Sequence, residues 1–369
     1  MEILHIANFS KRDERFNYMK NISNIQEELG HSPILLLNKR PPEINFNVPN
    51  MRILPGKKIN YLKLRLDKNI MHFIKNIDIA FAYTYSDLSL ILYLKKKLKK
   101  NFKVVYILID WRGTTGKGKR ISKRIDKLIF LSEHERFLLS RKLRIKPDDS
   151  FVLFGNYPSF KCQGSNGIIK KYKIPGDSVK FLIHTDYLRA NKPKEILNAI
   201  SFLSDEDYKK SFFIFSGKEK DYTKLDLITY AKFKKVNSRC IFINPREREY
   251  PELFGLADVG LLFTKRRIKF PESIFQYMSC GIPVIVSNSG IISEIIDSPE
   301  TGIIIQQDDE QGLSIAIANL INDKKLRTAI AKNAKAVFLK SYSYNKFKES
   351  SSLILNSLGF VKNMKNKTT

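Results

Sequence analysis

The chain alternates between short apolar runs and longer amphipathic stretches. The runs Glu2–Ala7, Pro33–Leu37, Ile77–Tyr83, Lys103–Asp110 and Lys127–Leu131 are almost wholly apolar. Such runs suit strands buried on both faces, as in a parallel sheet. Between them, Glu14–Leu29 and Leu88–Leu98 carry apolar residues at helical spacing, and Gly30-His31 stops the first. Met51–Leu54 and Phe151–Phe154 read as shorter strands. The alternation then starts again. Val179–His184, Phe212–Phe215, Cys240–Ile243, Val259–Phe263, Pro283–Val286 and Thr301–Ile305 predict strands. Tyr250–Leu256 and the stretches 309–322, 324–340 and 344–357 predict helices. Alternating strands and helices give an α/β fold with doubly wound sheets.

The two series are separated at about 156–178 by Pro158, Gly164, Gly167, Pro175 and Gly176. This predicts a domain at 1–160, a second at 178–345, and a C-terminal helix with a basic tail at 346–369. A length of 369 residues suits two domains. Leu62, Leu66, Ile70, Phe73 and Ile74 fall at helical spacing, with Lys63, Lys68 and Lys75 on other faces. That basic amphipathic helix fits either an anionic membrane surface or a crossover packed on the sheet.

The most informative stretch is Phe270–Glu294, FPESIFQYMSCGIPVIVSNSGIISE. Pro271, Glu272 and Ser273 open a helix whose apolar face is Ile274, Phe275, Tyr277 and Met278. Gly281 ends it, Pro283–Val286 is a buried strand, and a second helix starts near Glu294. Ligands of open α/β sheets bind at the carboxyl ends of strands, and anions sit on helix N-termini.

These residues resemble the donor-binding signature of retaining GT-B glycosyltransferases, close to family 4. The similarity rests on Pro271, Tyr277, Met278, Cys280, Gly281, Pro283 and Val284, then Gly290 and Glu294. It departs at Ser273, where the family has Lys, at Gln276, where it has Glu, and at Ile268, where the first of two paired glutamates would fall. The resemblance implies two Rossmann-like domains facing across a cleft. It implies a metal-independent hexosyltransferase using a UDP- or GDP-linked sugar, with no other cofactor. The acceptor would be a glycan or lipid-linked glycan of a surface polysaccharide.

The implied donor-binding residues are Arg189, Lys192, Lys194, Ser273, Ile274, Gln276, Asn244, Gly290 and Glu294. The family's Gly-Arg pair after the strand is missing, and Arg189, Lys192 and Lys194 stand in its place. Glu272 and Asp110 are the candidate catalytic carboxylates. Asp110-Trp111-Arg112 puts a carboxylate, an aromatic face and a guanidinium at one strand end, where they could hold a sugar and a phosphate or simply cap a turn. Asn8, Ser10, Trp111 and Arg112 are the acceptor-side candidates. The basic loop Gly113–Arg120 approaches a phosphate-binding P-loop, but Arg120 stands where that motif needs Ser or Thr for magnesium. The alternative to an enzyme is a degenerate GT-B scaffold that binds a nucleotide or a partner without catalysis.

Charge sharpens the partner question. The net charge is +28, and residues 51–150 hold 25 Lys/Arg against 9 Asp/Glu. An anionic membrane surface or a lipid pyrophosphate would suit that segment; so would a compositional bias with no partner behind it. No nucleic-acid-binding module is present. No run of about 18 apolar residues occurs, and no basic region precedes the first strand, so neither a membrane span nor a signal peptide is expected. Cys162, Cys240 and Cys280 are widely spaced and read as free thiols of a reducing compartment. The expected location is cytoplasmic, at the inner face of the membrane.

Overall fold

The computed structural model describes residues 1–7, 14–38, 51–53, 72, 74–109, 121, 123–154, 162–164, 166–265 and 272–359. It divides into two compact units. The first comprises Met1–Asn156 together with the chain from Phe347 on, and the second is Tyr157–Lys346.

The first unit runs β1 (Glu2–Ala7), α1 (Glu14–Glu28), β2 (Ser32–Leu37), β3 (Met51–Ile53), β4 (Ile79–Ala82), α2 (Tyr85–Leu98), β5 (Lys103–Ile107), β6 (Lys127–Phe130), α3 (Glu133–Leu143) and β7 (Ser150–Val152). Its strands form one parallel sheet in the order β3-β2-β1-β4-β5-β6-β7. Order reverses between β1 and β4, as in doubly wound folds. Ile3 to Ala7 are all buried, so β1 is covered on both faces. Ser132 caps α3, accepting from the Glu135 N–H at 3.0 Å.

A buried polar chain runs through this core. The His5 Nε2–H donates to Gln26 Oε1 at 2.7 Å, which leaves Nδ1 to accept from the Tyr83 hydroxyl at 2.7 Å. The imidazole stacks on Phe81 with centroids 4.9 Å apart. Burial pulls its pKa down to about 4, against the opposing Gln26 hydrogen bond, so the ring is neutral.

The second unit runs α4 (Asn166–Tyr172), β8 (Val179–His184), α5 (Pro193–Ser201), α6 (Asp205–Lys210), β9 (Ser211–Ser216), α7 (Lys224–Phe233), β10 (Cys240–Ile243), α8 (Tyr250–Leu256), β11 (Val259–Leu262), α9 (Glu272–Cys280), β12 (Val284–Ser287), α10 (Ile292–Ile295), β13 (Ile303–Ile305), α11 (Glu310–Asn322) and α12 (Lys324–Val337). Its parallel sheet has the order β10-β9-β8-β11-β12-β13, with the reversal between β8 and β11. A five-residue π-helical turn, Phe338–Tyr342, follows α12 and leads to α13 (Tyr344–Asn356). From Phe347 on, α13 groups with the first unit: Phe347 meets Tyr18 edge-on at 5.9 Å, and Lys348 pairs with Glu28 at 2.8 Å.

The cysteines differ from expectation. Cys162 and Cys280 form a disulfide, with Cα atoms 5.9 Å apart. Only Cys240 is a free thiol, and burial pushes its pKa up. The two partners lie 118 residues apart, and their meeting depends on how the stretch around Cys162 lies against α8. There the Gln163 N–H donates to the Pro251 carbonyl and the Ile168 N–H to Glu252. The stretch read as linker also holds α4, which its glycine content had obscured. Among the described residues no helix is long and apolar enough to cross a membrane.

Candidate functional site

The reversal between β8 and β11 opens a crevice at the carboxyl end of the second sheet. The two strands pair only at Val259 with Phe181 and Gly260 with Leu182. The Thr185 N–H bonds to Ser216 of β9, so by the alternation of the ladder the Leu182 carbonyl and His184 N–H face the β11 side. Tyr277 of α9 occupies that side. Its hydroxyl donates to the Leu182 carbonyl at 2.8 Å and accepts from the His184 N–H at 3.1 Å. The ring lies on Gly260, where a Cβ would come within 2.5 Å of it. One phenol thus closes the ladder where the strands part.

The loops at the crevice are knitted together by side chains. Asn191 donates to the Thr185 hydroxyl at 2.6 Å and to the Asp186 carbonyl at 2.9 Å. The Thr264 hydroxyl, after β11, lies 2.9 Å from the Ala190 carbonyl and 3.2 Å from Asn191 Oδ1. The Lys265 N–H also donates to Ala190. Ser287 of β12 exchanges hydrogen bonds with the Thr264 main chain, each 2.8 Å. Gly217 packs against the Thr185 carbonyl, which a Cβ would meet at 2.0 Å. Loops after β8, β9, β11 and β12 are therefore held as one rigid rim.

Cations sit on this rim in three different states. Lys192, in a left-handed conformation (φ 51°), starts α5, and its side chain is 2% exposed. Its ammonium donates to the Gln307 carbonyl, lies 2.7 Å from Asp308 Oδ1 and rests 5.0 Å over the Phe263 ring. Lys265 reaches the same Asp308 oxygen at 2.9 Å. Hydrogen bonds from Lys192 and then Lys265 hold the Asp308 carboxyl down at about 2. Lys194 sits instead over Tyr222 at 4.7 Å and Tyr230 at 4.8 Å, a cation–π contact on the side of α7. Arg189 is exposed; its N–H donates to Asp221, and its guanidinium has no partner among the described residues.

His184 ends β8. Its Nδ1 lies 3.1 Å from the Ser216 hydroxyl, and Tyr250 and Phe254 of α8 meet the ring edge-on at 4.6 and 5.3 Å. Burial lowers its pKa to about 4, with Asp186 opposing and Lys218 assisting. Burial also raises Tyr250, and Glu247, Asp186 and Glu272 add to the rise, so exposed Glu272 acts in the field of this cluster.

Helix α9 starts at Glu272, after the carboxyl end of β11. Ile274, Phe275, Tyr277 and Met278 are buried, as their spacing predicts, and Gly281 (φ 69°) ends the helix. Ser273 and Gln276 are half-buried. Gln276 Oε1 is shut off from solvent and has no hydrogen-bond partner among the described residues. Gly290 has φ 59° and precedes α10, which spans only Ile292–Ile295; Glu294 lies inside it rather than at its start, because Ile291 and not a polar side chain begins the turn. The Glu294 carboxylate raises the already buried Tyr342 hydroxyl. Asn244 is exposed at the end of edge strand β10, two strands from β8.

Arg189 and Lys192 lie between the end of β8 and α5, and Ser273, Ile274 and Gln276 lie on α9, whose Tyr277 reaches the end of β8; Lys194 and Asn244 are set to one side. Asp110, Trp111, Arg112, Asn8 and Ser10 lie outside the described residues, as do 54–71 of the basic segment. Sequence reasoning passed over Asn191, Thr264, Lys265 and Asp308. Lys265 carried a signal, as the first of three cations after β11; Asp308 carried none, since its neighbour Asp309 is the residue that caps α11. Among the described residues no cluster of His, Cys, Asp or Glu is suited to a metal ion.

Comparison with known proteins bears on this geometry. Residues 165–337 match the model of the family described as Glycosyl transferases group 1, so the second unit carries a domain of that family. Over 167 residues the chain is 24% identical to the N-acetyl-alpha-D-glucosaminyl L-malate synthase of Bacillus anthracis; the match covers 45% of this chain and 42% of that protein, less than half its length. The structure is similar to HepE of Anabaena solved with UDP, with TM-score 0.81 and 14% identity, covering 97% of this chain and 100% of that one. It is similar to WaaG, a glycosyltransferase involved in lipopolysaccharide biosynthesis, with TM-score 0.68 and 15% identity, covering 95% and 99%. These likenesses establish the architecture: two Rossmann-like α/β units of the GT-B fold.

Proposed function

We propose that this GT-B chain, with its Glycosyl transferases group 1 domain, is a glycosyltransferase. It moves a sugar from a UDP- or GDP-linked donor to a glycan or lipid-linked glycan of a surface polysaccharide, with retention at the anomeric carbon. The observation that carries this reading is the β8–β11 switch point, where exposed Arg189 and buried Lys192 precede α5 and Tyr277 of α9 binds the end of β8. Breaking the sugar–phosphate bond leaves negative charge on the departing nucleoside diphosphate. Fixed cations and helix-start amides stabilise such charge without reorganising, and we assign them the role a metal plays elsewhere. Gln276 suits the ribose: its partnerless Oε1 would accept from one hydroxyl and its amide would donate to another. HepE was solved with UDP, and WaaG acts in lipopolysaccharide biosynthesis, which favours the same class of donor and pathway here. The basic 51–150 segment suits a lipid-linked acceptor at the inner face of an anionic membrane.

A second reading, nucleotide binding without turnover, draws on Gln276 in place of Glu and on the pairing of Lys192 with Asp308. One experiment tests both. Melting is followed with UDP, GDP and CMP at millimolar concentration, and hydrolysis of their sugars is followed without acceptor. A ligand at a hundred times its Kd should add about 2.7 kcal/mol to folded-state stability. Stabilisation with slow sugar release supports the transferase, stabilisation without release supports the binding protein, and no stabilisation by any nucleotide refutes both.

A further inference from the structure

We propose that Asp308 is an internal counter-ion that occupies the anion seat of the second unit and is displaced when a diphosphate binds there. The inference builds on the donor reading above. It begins with Lys192, whose side chain is 2% exposed. An ammonium that far from water needs a compensating charge. Here that charge comes from Asp308, on the loop between β13 and α11, while the Gln307 carbonyl and Phe263 ring support the rest of the headgroup. Lys265, from a different loop, reaches the same Asp308 oxygen. Two cations from two loops converging on one carboxylate oxygen would suit a phosphate oxygen equally well.

The asymmetry of this triad decides which member moves. Lys192 is held by buried main chain at the start of α5, whereas the Asp308 side chain is 74% exposed. An exposed carboxylate exchanges its ion pairs for water at small net cost. Asp308 carries a single charge between two ammonium groups, with Glu195 also acting on Lys265. A polyanion drawn to the two ammonium groups has to displace only this singly charged occupant. Among the described residues Asp308 makes no further contact that would hold it in place: Asp309 supplies the cap of α11, accepting from the Gly312 N–H at 2.7 Å. Apparent affinity is then lowered by the fraction of time the seat is closed.

The test is titration calorimetry on the full chain with UDP, GDP and inorganic pyrophosphate at low salt, for wild type, Asp308→Asn, Asp308→Glu and Lys192→Met. Asp308→Asn keeps an acceptor for the buried ammonium and removes the charge. It should bind every diphosphate that wild type binds about three- to tenfold more tightly, while its ligand-free melting point falls or stays level. Asp308→Glu should stay near wild type. Adding Asp308→Asn to Lys192→Met should bring a smaller gain than in wild type, because only the competition through Lys265 is left. Equal or weaker binding by Asp308→Asn, or a gain as large without Lys192 as with it, overturns the proposal and leaves the donor reading intact. Tighter pyrophosphate binding with no nucleotide binding to any variant upholds the counter-ion and removes the donor reading.

Discussion

Replacing Tyr277 with Phe removes one oxygen and leaves the ring on Gly260 in place. The structure says what that oxygen does: it donates to the carbonyl of Leu182, the last β8 residue paired with β11, at 2.8 Å and accepts at 3.1 Å from the His184 N–H, beyond the last pair. Leu182 is fully buried and Tyr277 is 1% exposed, so water cannot substitute without opening the crevice. A buried main-chain group left without a partner costs about 1–3 kcal/mol, and the group left here is the His184 N–H, so the expected loss is about 1–3 kcal/mol. The two units need not unfold together, so the assay must assign the loss to a place. Hydrogen exchange followed by mass spectrometry across a urea series does this, reading β8 and β11 peptides against β1 and β5 as internal controls. The expected result is faster exchange confined to β8 and β11, by at least tenfold, together with weaker nucleotide binding from a loosened rim. A stability loss below about 0.5 kcal/mol, or one shared by the first unit, would refute the account of the hydroxyl as a ladder substitute.

Three further outcomes are expected. Gln276→Met should weaken nucleotide binding by about tenfold without destabilising the free protein, since it removes an unsatisfied buried oxygen; unchanged affinity in calorimetry would take ribose recognition away from this position. Stability should fall as the pH drops from about 6.5 to about 4, because unfolded His5 takes up a proton in that window and folded His5 does not. The pKa difference allows roughly 3 kcal/mol, and urea unfolding of His5→Gln should show a flatter pH slope if the assignment is right. Exposed Cys162 replaced by Ser should lower stability by up to about 5 kcal/mol on the chain-entropy account of a 118-residue loop; a melting point equal to that of the oxidised wild type would show that the cross-link does not constrain the unfolded chain.

Much of the fold was legible because its strands are buried on both faces. Glu2–Ala7, Val179–His184 and Cys240–Ile243 stand where the apolar runs place them, since a run that short and that apolar has few other uses. Helix α9 and the Gly281 turn were legible for a similar reason: Ile274, Phe275, Tyr277 and Met278 make one face, and glycine follows it. What stayed hidden depends on contacts between distant segments. No local pattern joins Cys162 to Cys280 or Lys192 to Asp308, 116 residues away. The same holds for Lys194, whose place at a helix start suggested phosphate, while Tyr222 and Tyr230, both distant in sequence, determine where its ammonium lies. Lys192 shows the converse, for the position was legible and its neutralising partner was not.

The return of α13 to the first unit has a consequence for biosynthesis. The segment Met1–Asn156 leaves the ribosome long before Phe347 and Lys348, the residues that meet Tyr18 and Glu28. During translation the early sheet must therefore wait, with one helix missing from its surface, while the whole second unit is made. Domains of multidomain proteins tend to fold in order as they emerge, and an incomplete one exposes apolar surface meanwhile. Maturation of the first unit is thus tied to α13. Truncation before Phe347 would impair the half of the molecule made first, not the half adjoining the cut.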